Sequence, residues 1–349
     1  MVEAYLAAYS LAATSRTDNI TGVLARIQAT GLPDHLRMAI ANRQSISLRL
    51  KGDHDRSEVM LRNILEGPAI DPADIRSHCA RGRLLLSRTE NAILRKEFNK
   101  AASYLVTWEV KTSPASSLEL QVVRMKNTTI GRVSRYDGQF KHARYCLEEC
   151  LKTILHDPSR YHVMHHLADV YCELNIPGEA ENLVLGEVKQ LRALGKQRSK
   201  PFRRLSLPLA EAYIEQGAPE AARTVLRELL NIFDGVVGHD IADQLGHVRA
   251  MIGLARVCWS ESRWSEAHQI LERALGLTGK YGTFSKRNFY IGVIHLFLSV
   301  VYSKRCRHWE ARMAFMSAND VLREQVPRHF MPGMGTYFLE RLMISAQSF

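Results

Sequence analysis

No stretch of this 349-residue chain stays apolar for the ~18 residues or more that a membrane-spanning helix needs, and no proline, glycine or serine run marks a linker. The first residues, MVEAYLAAYSLAATSR, carry a glutamate where a secretory leader has a basic start, so an amphipathic helix is expected there. Six cysteines (Cys79, Cys146, Cys150, Cys172, Cys258, Cys306) include no C-x-x-C pair. That removes the usual zinc and thiol-redox signatures. Reduced, core-buried cysteine is the expectation, in a reducing compartment: the cytoplasm, with the nucleus as the alternative. Also absent are a nucleophile elbow, a phosphate loop, G-x-G-x-x-G and H-E-x-x-H. With 47 Lys and Arg against 36 Asp and Glu, the net charge is +11. A basic surface suits acidic proteins or nucleic acid. The charge is spread along the chain, however, and the densest cluster (Lys196, Arg198, Lys200, Arg203, Arg204) lacks the interleaved aromatics of single-strand binders. It reads as a solvated turn.

What the chain does hold is periodic. In residues 161–187, Met164, Leu167, Ala168 and Tyr171 draw one apolar stripe along a helix. Asn175, Pro177 and Gly178 break it, and Ala180, Leu183, Val184 and Val188 draw a second stripe. Such a helical hairpin cannot bury its own apolar face and needs neighbours. Similar pairs recur: Ile130 and Gly131 with Ala143 and Leu147; Leu209, Ala210 and Tyr213 with Ala222 and Leu226. Two more follow: Met251, Leu254 and Ala255 with Ala267, Leu271 and Ala274; Leu298 and Tyr302 with Ala311, Phe315 and Ala318. Fainter units surround Ala92 and Ala101, and Ser57 and Leu61.

This spacing resembles the tetratricopeptide repeat, whose small residues sit where two helices cross closely. Successive anchor alanines at 143, 180, 222, 267 and 311 are 37, 42, 45 and 44 residues apart, longer than the family period of about 34. The closing proline and most of the tryptophans are missing. The resemblance, over residues 80–320, implies an all-α, right-handed superhelix of about seven to eight helical hairpins in one continuous solenoid. Residues 1–70 would be divergent N-terminal helices, 73–325 the repeats and 327–349 a C-terminal capping helix.

In such arrays the first helix of each pair lines a concave face. Counted on the repeat, the expected wall comprises Arg132, Arg135, His162, His165, Asp169, Arg204, Glu211, Arg249, Arg256 and Trp259, with Leu296 and Val300 at an apolar end. Arginines in a concavity suit carboxylates. The carboxylate clamp of the family's chaperone receptors needs lysine and asparagine where this chain has His165 and Asp169, or Leu207 and Glu211, so that activity is not carried over. His162, His165 and Asp169, on one face with His166 beside them, have the chemistry of a metal site or a general base; hydrogen bonding across the groove to Arg132 or Arg204 is the plainer reading. No metal or cofactor is expected. Trp264 and Trp309 are expected to pack between repeats, and Cys150 to lie in the core. Two functions stand open: a non-catalytic scaffold binding an acidic protein or peptide segment, or a sensor or atypical enzyme holding a small anionic ligand around His165 and Asp169. Similar arrays also form the sensing part of larger nucleotide-switch proteins.

Overall fold

The computed structural model describes residues 33–50, 53–67, 74–95, 97–113, 115–154, 159–235, 241–281, 289–325 and 346. The expected first helices before residue 33 and the expected cap at 327–349, except for the buried Ala346, lie outside the described residues. Fourteen helices and no strands occur among the described residues. They are α1 (Asp34–Leu50), α2 (His54–Leu65), α3 (Ile75–Leu94), α4 (Phe98–Val106), α5 (Ser117–Tyr136), α6 (Phe140–Lys152) and α7 (Arg160–Glu173). There follow α8 (Pro177–Ala193), α9 (Lys200–Glu215), α10 (Pro219–Asp234), α11 (Ile241–Ser260), α12 (Trp264–Tyr281), α13 (Phe289–Lys304) and α14 (His308–Gln325). The chain forms two compact units, 1–133 and 134–349.

In the first unit α3 packs on α1, α2 and α4. Small polar residues make the closest contacts. Ser45 and Ser57, both fully buried, join hydroxyls at 2.8 Å, and the Asn91 amide donates to Ser57 at 2.9 Å. Trp108 closes the far side: its indole N–H donates to the His78 carbonyl at 3.0 Å, and its ring stacks on the His78 imidazole. Gly82 makes room for that ring, since a β-carbon there would stand 2.8 Å from the indole nitrogen.

The second unit is a ladder of helix pairs in which each helix packs on the next. Its regularity is set at the turns. Gly138, Asn175, Gly217, Ser262 and Cys306 all have φ between 57° and 75°, and each lies two residues before a second helix. In every turn that residue's N–H bonds three residues back and the following N–H bonds five back, for example Gly217 to Ile214 at 3.1 Å and Ala218 to Tyr213 at 2.8 Å. This closes the first helix with a left-handed cap and gives two of its last carbonyls a donor. The anchor alanines Ala143, Ala180, Ala222, Ala267 and Ala311 then fall on the fourth residue of each second helix, and all are fully buried. A larger side chain at these crossings would hold the helices apart. The helices also explain the stretched period: α8 and α12 run to 17 and 18 residues.

Burial separates the two helix classes. The second helices bury one face, as α10 does with Ala222, Val225, Leu226, Leu229 and Phe233. The first helices are buried almost all round: α9 continuously from Leu205 to Ala212, α11 from Gly246 to Cys258, α7 from His166 to Glu173. A helix covered on every side is an interior element. Each fully buried large side chain among them, such as Phe202 or Phe297, contributes about 1.5–3 kcal/mol. Leu296 and Val300, expected on an apolar groove wall, are core residues at 3% and 1% exposure.

One packing expectation fails. Trp264 meets Trp259, ring centroids 6.1 Å apart, but Trp309 is 71% exposed. Trp264 stands three residues before its anchor alanine and Trp309 two, and one residue of register turns a helical side chain by about 100°. That rotation carries Trp309 off the buried stripe of Ala311, Ala314 and Ala318.

Candidate functional site

Helices buried on all sides cannot be wholly apolar here, because the sequence puts arginines and carboxylates on them. Their charges are therefore matched inside the second unit. Asp169 on α7, 1% exposed, is the hub. Arg249 on α11 reaches it with two hydrogen bonds, 2.7 Å and 3.1 Å, and Arg135 on α5 approaches its other side at 3.0 Å. Arg135 also donates through Nε to both oxygens of Glu173 at 2.9 Å, and its Nη1 lies 3.2 Å from His166 Nδ1. Farther along, Arg256 on α11 pairs with Glu211 and Glu215 of α9.

The electrostatics follow from burial against pairing. Burial alone would raise the Asp169 carboxyl, but Arg249 and Arg135 outweigh it and hold it well below the usual carboxylate range. The Arg135 and Arg249 guanidiniums, which burial would lower, are held firmly charged by these carboxylates. Glu211 is the exception: burial, together with neighbouring Glu215, pushes it up to about 7 although Arg256 pulls the other way. Four carboxylates share three guanidiniums in this network, so one carboxylate is in surplus, and Glu211 is the one whose carboxyl is raised. Burial lowers His165 to about 4, with Arg249 and Arg135 adding to the effect against Asp169. Neutral His165 then donates from Nδ1 to the Arg204 carbonyl at 2.8 Å. Cys172, buried beside Glu211 and Asp169, has its thiol pushed well above its ordinary range and is a poor nucleophile.

A metal does not suit this centre. His165, His166 and Asp169 offer ligand atoms within 4.8 Å of one another. Yet both Asp169 oxygens already accept from guanidiniums, His165 Nδ1 is committed to a carbonyl, and His166 Nδ1 faces Arg135. A divalent ion held by the Nε2 atoms of the two histidines would still have to share Asp169 with two guanidiniums and sit beside two fixed positive charges.

The ten residues expected on the groove wall thus divide. Arg135, Asp169, Glu211, Arg249 and Arg256 are at most 6% exposed and bound to one another. His165 and the Arg204 backbone join them; His162 is half-buried with its ring edge-on to His166. Arg132 belongs to the first unit, where it pairs with Glu90. Trp259 packs on Phe297, centroids 4.7 Å apart. Sequence reasoning missed Glu173 and Glu215. Their signal was present, since Asp169/Glu173 and Glu211/Glu215 are carboxylates four apart on one helix each, a spacing that aligns both on one face.

No protein-family model matches the chain, and no curated protein matches it. Solved structures do. A Rap protein complexed with competence and sporulation factor has a TM-score of 0.59 at 11% identity, covering 83% of this chain and 77% of its own. NprR in complex with its cognate peptide NprX has 0.57 at 12% identity, covering 88% and 81%. A signal transduction ATPase with a tetratricopeptide repeat sensor from Pyrococcus horikoshii has 0.56 at 13% identity, covering 87% of this chain and 45% of its own. The fold is that of the tetratricopeptide-like helical repeats. No helix among the described residues is long and apolar enough to cross a membrane.

Proposed function

We propose that this helical-repeat chain is a non-catalytic scaffold that binds a segment of another protein. The observation that carries the reading is the internal neutralisation of its first helices. The place beside Arg249 that a small anionic ligand would take is filled by the chain's own Asp169. The buried Cys172, the depressed His165 and the ion-paired Asp169 are poorly suited to nucleophilic or general-base work. One of the similar structures, NprR, is in complex with its cognate peptide, and the Rap protein is complexed with competence and sporulation factor, which supports a peptide-sized partner.

In this reading the buried network fixes the pitch of the ladder, and partner contacts come from side chains without internal obligations. The test is capture from extract of the source cells by the tagged protein, with chemical cross-linking, beside a thermal-shift screen of small anions. A stoichiometric protein partner supports the scaffold. No partner, together with a ligand-dependent rise in melting temperature, would replace it with the sensor reading.

A further inference from the structure

Between the second helices α10 and α12 lies a cleft of about 160 Å³, floored by Met251 and Leu254 of α11. Ile270 of α12 completes its apolar base, and Arg227, Asn231 and Arg273 stand around it. Arg227 lies five residues after the anchor Ala222 and Arg273 six after the equivalent Ala267, so the two arginines come from neighbouring second helices, one residue out of register, and both line the cleft. Both are exposed, and neither has a hydrogen-bond or ion-pair partner among the described residues. Arginines nearby are paired: Arg192 with Glu228 at the preceding junction, and Arg223 with Glu261. The carboxylate at the other end of the cleft, Asp234, faces the buried His247 at 3.5 Å, and His247 in turn meets the Tyr281 hydroxyl at 2.8 Å.

We infer that this cleft anchors an acidic segment of the partner protein, with one apolar side chain seated on Met251, Leu254 and Ile270 and flanking carboxylates held by Arg227 and Arg273. The inference rests on the scaffold reading and gives it a surface. Charge complementarity selects the occupant: two exposed guanidiniums on one cleft suit carboxylates, which accept bidentate hydrogen bonds. Size selects a peptide over a free small molecule. The cleft is well below the ~300–1,000 Å³ of small-ligand pockets and suits one leucine- or phenylalanine-sized anchor of the kind that dominates interface energetics.

The experiment places a photoreactive benzoylphenylalanine at exposed Asn231, and in a second protein at exposed Trp309. After cross-linking in extract, the captured segment is sequenced by mass spectrometry. The expected product at position 231 is a segment with acidic residues around an apolar one, and the R227E/R273E double variant, whose melting temperature should stay near wild type, lowers its yield about tenfold or more. The exposed-surface control R312E leaves the yield unchanged. Capture that survives the double reversal, a captured segment without acidic residues, or capture only from position 309 would overturn the cleft and leave the scaffold standing. Capture from neither position overturns the cleft, and the scaffold falls with it when the tagged protein also retains no partner.

Discussion

Replacing Glu211 with glutamine should make the protein more stable at pH 8 and leave it nearly unchanged at pH 5. The native carboxyl has its pKa raised from 4.5 to about 7. The folded state therefore holds a proton that the unfolded state releases between those values. The stability from that proton is complete below about pH 4.5, declines as pH rises and is gone above about pH 7. A span of about 2.5 pH units at ~1.36 kcal/mol each puts the loss on the order of 3 kcal/mol. Glutamine mimics the neutral acid and does not titrate. Its extra N–H needs an acceptor and costs about 1 kcal/mol at every pH, so the informative quantity is the change in the difference between the two proteins. Groups around Glu211, namely Glu215, Arg256, Arg249 and Cys172, are common to both. The same holds for His165, whose depressed pKa removes stability as pH falls from 6.5 towards 4. Urea unfolding followed by helical circular dichroism at half-unit steps from pH 5 to 8.5 gives the two profiles. Parallel curves would refute the assignment of the surplus proton to Glu211.

Three further outcomes follow from the same geometry. Asp169→Ala leaves two buried guanidiniums short of their shared carboxylate and should lower unfolding stability by about 3–5 kcal/mol, while D169L/R249M loses less than the sum of its single changes in a double-mutant cycle. Ser262→Gly and Cys306→Gly should each raise the urea midpoint by an amount equivalent to about 0.5–1 kcal/mol, because both positions hold φ near +58° without the glycine that such a cap favours. Adding zinc to ten times the protein concentration should leave the melting temperature unchanged; a clear rise abolished by His165→Ala and Asp169→Ala would contradict the ion-paired reading of that centre.

Much of the fold was legible from residue types whose roles are local. Ala180, Ala222 and Ala267 mark helix crossings because only a small side chain fits, and Gly138, Asn175 and Gly217 mark turns because they tolerate a left-handed backbone. Where the residue type carries no such preference the signal disappears, and Ser262 and Cys306 occupy the same turn position without announcing it. The site was half legible. Asp169, His165 and Arg249 are recognisable as polar residues on the inner face of their helices, but Asp169 and Arg249 are 80 residues apart, and no spacing rule joins them.

The hairpins, their register and their all-helical class were thus properties of the sequence alone, since each depends on side-chain size and backbone preference over a few neighbouring residues. Whether a polar first helix faces water or other helices was decided by the tertiary structure. Periodicity places a side chain on a face of its own helix, whereas burial depends on what the neighbouring pairs bring against that face. Here they bring opposite charge at hydrogen-bonding distance, and the expected arginine wall becomes an interior lattice.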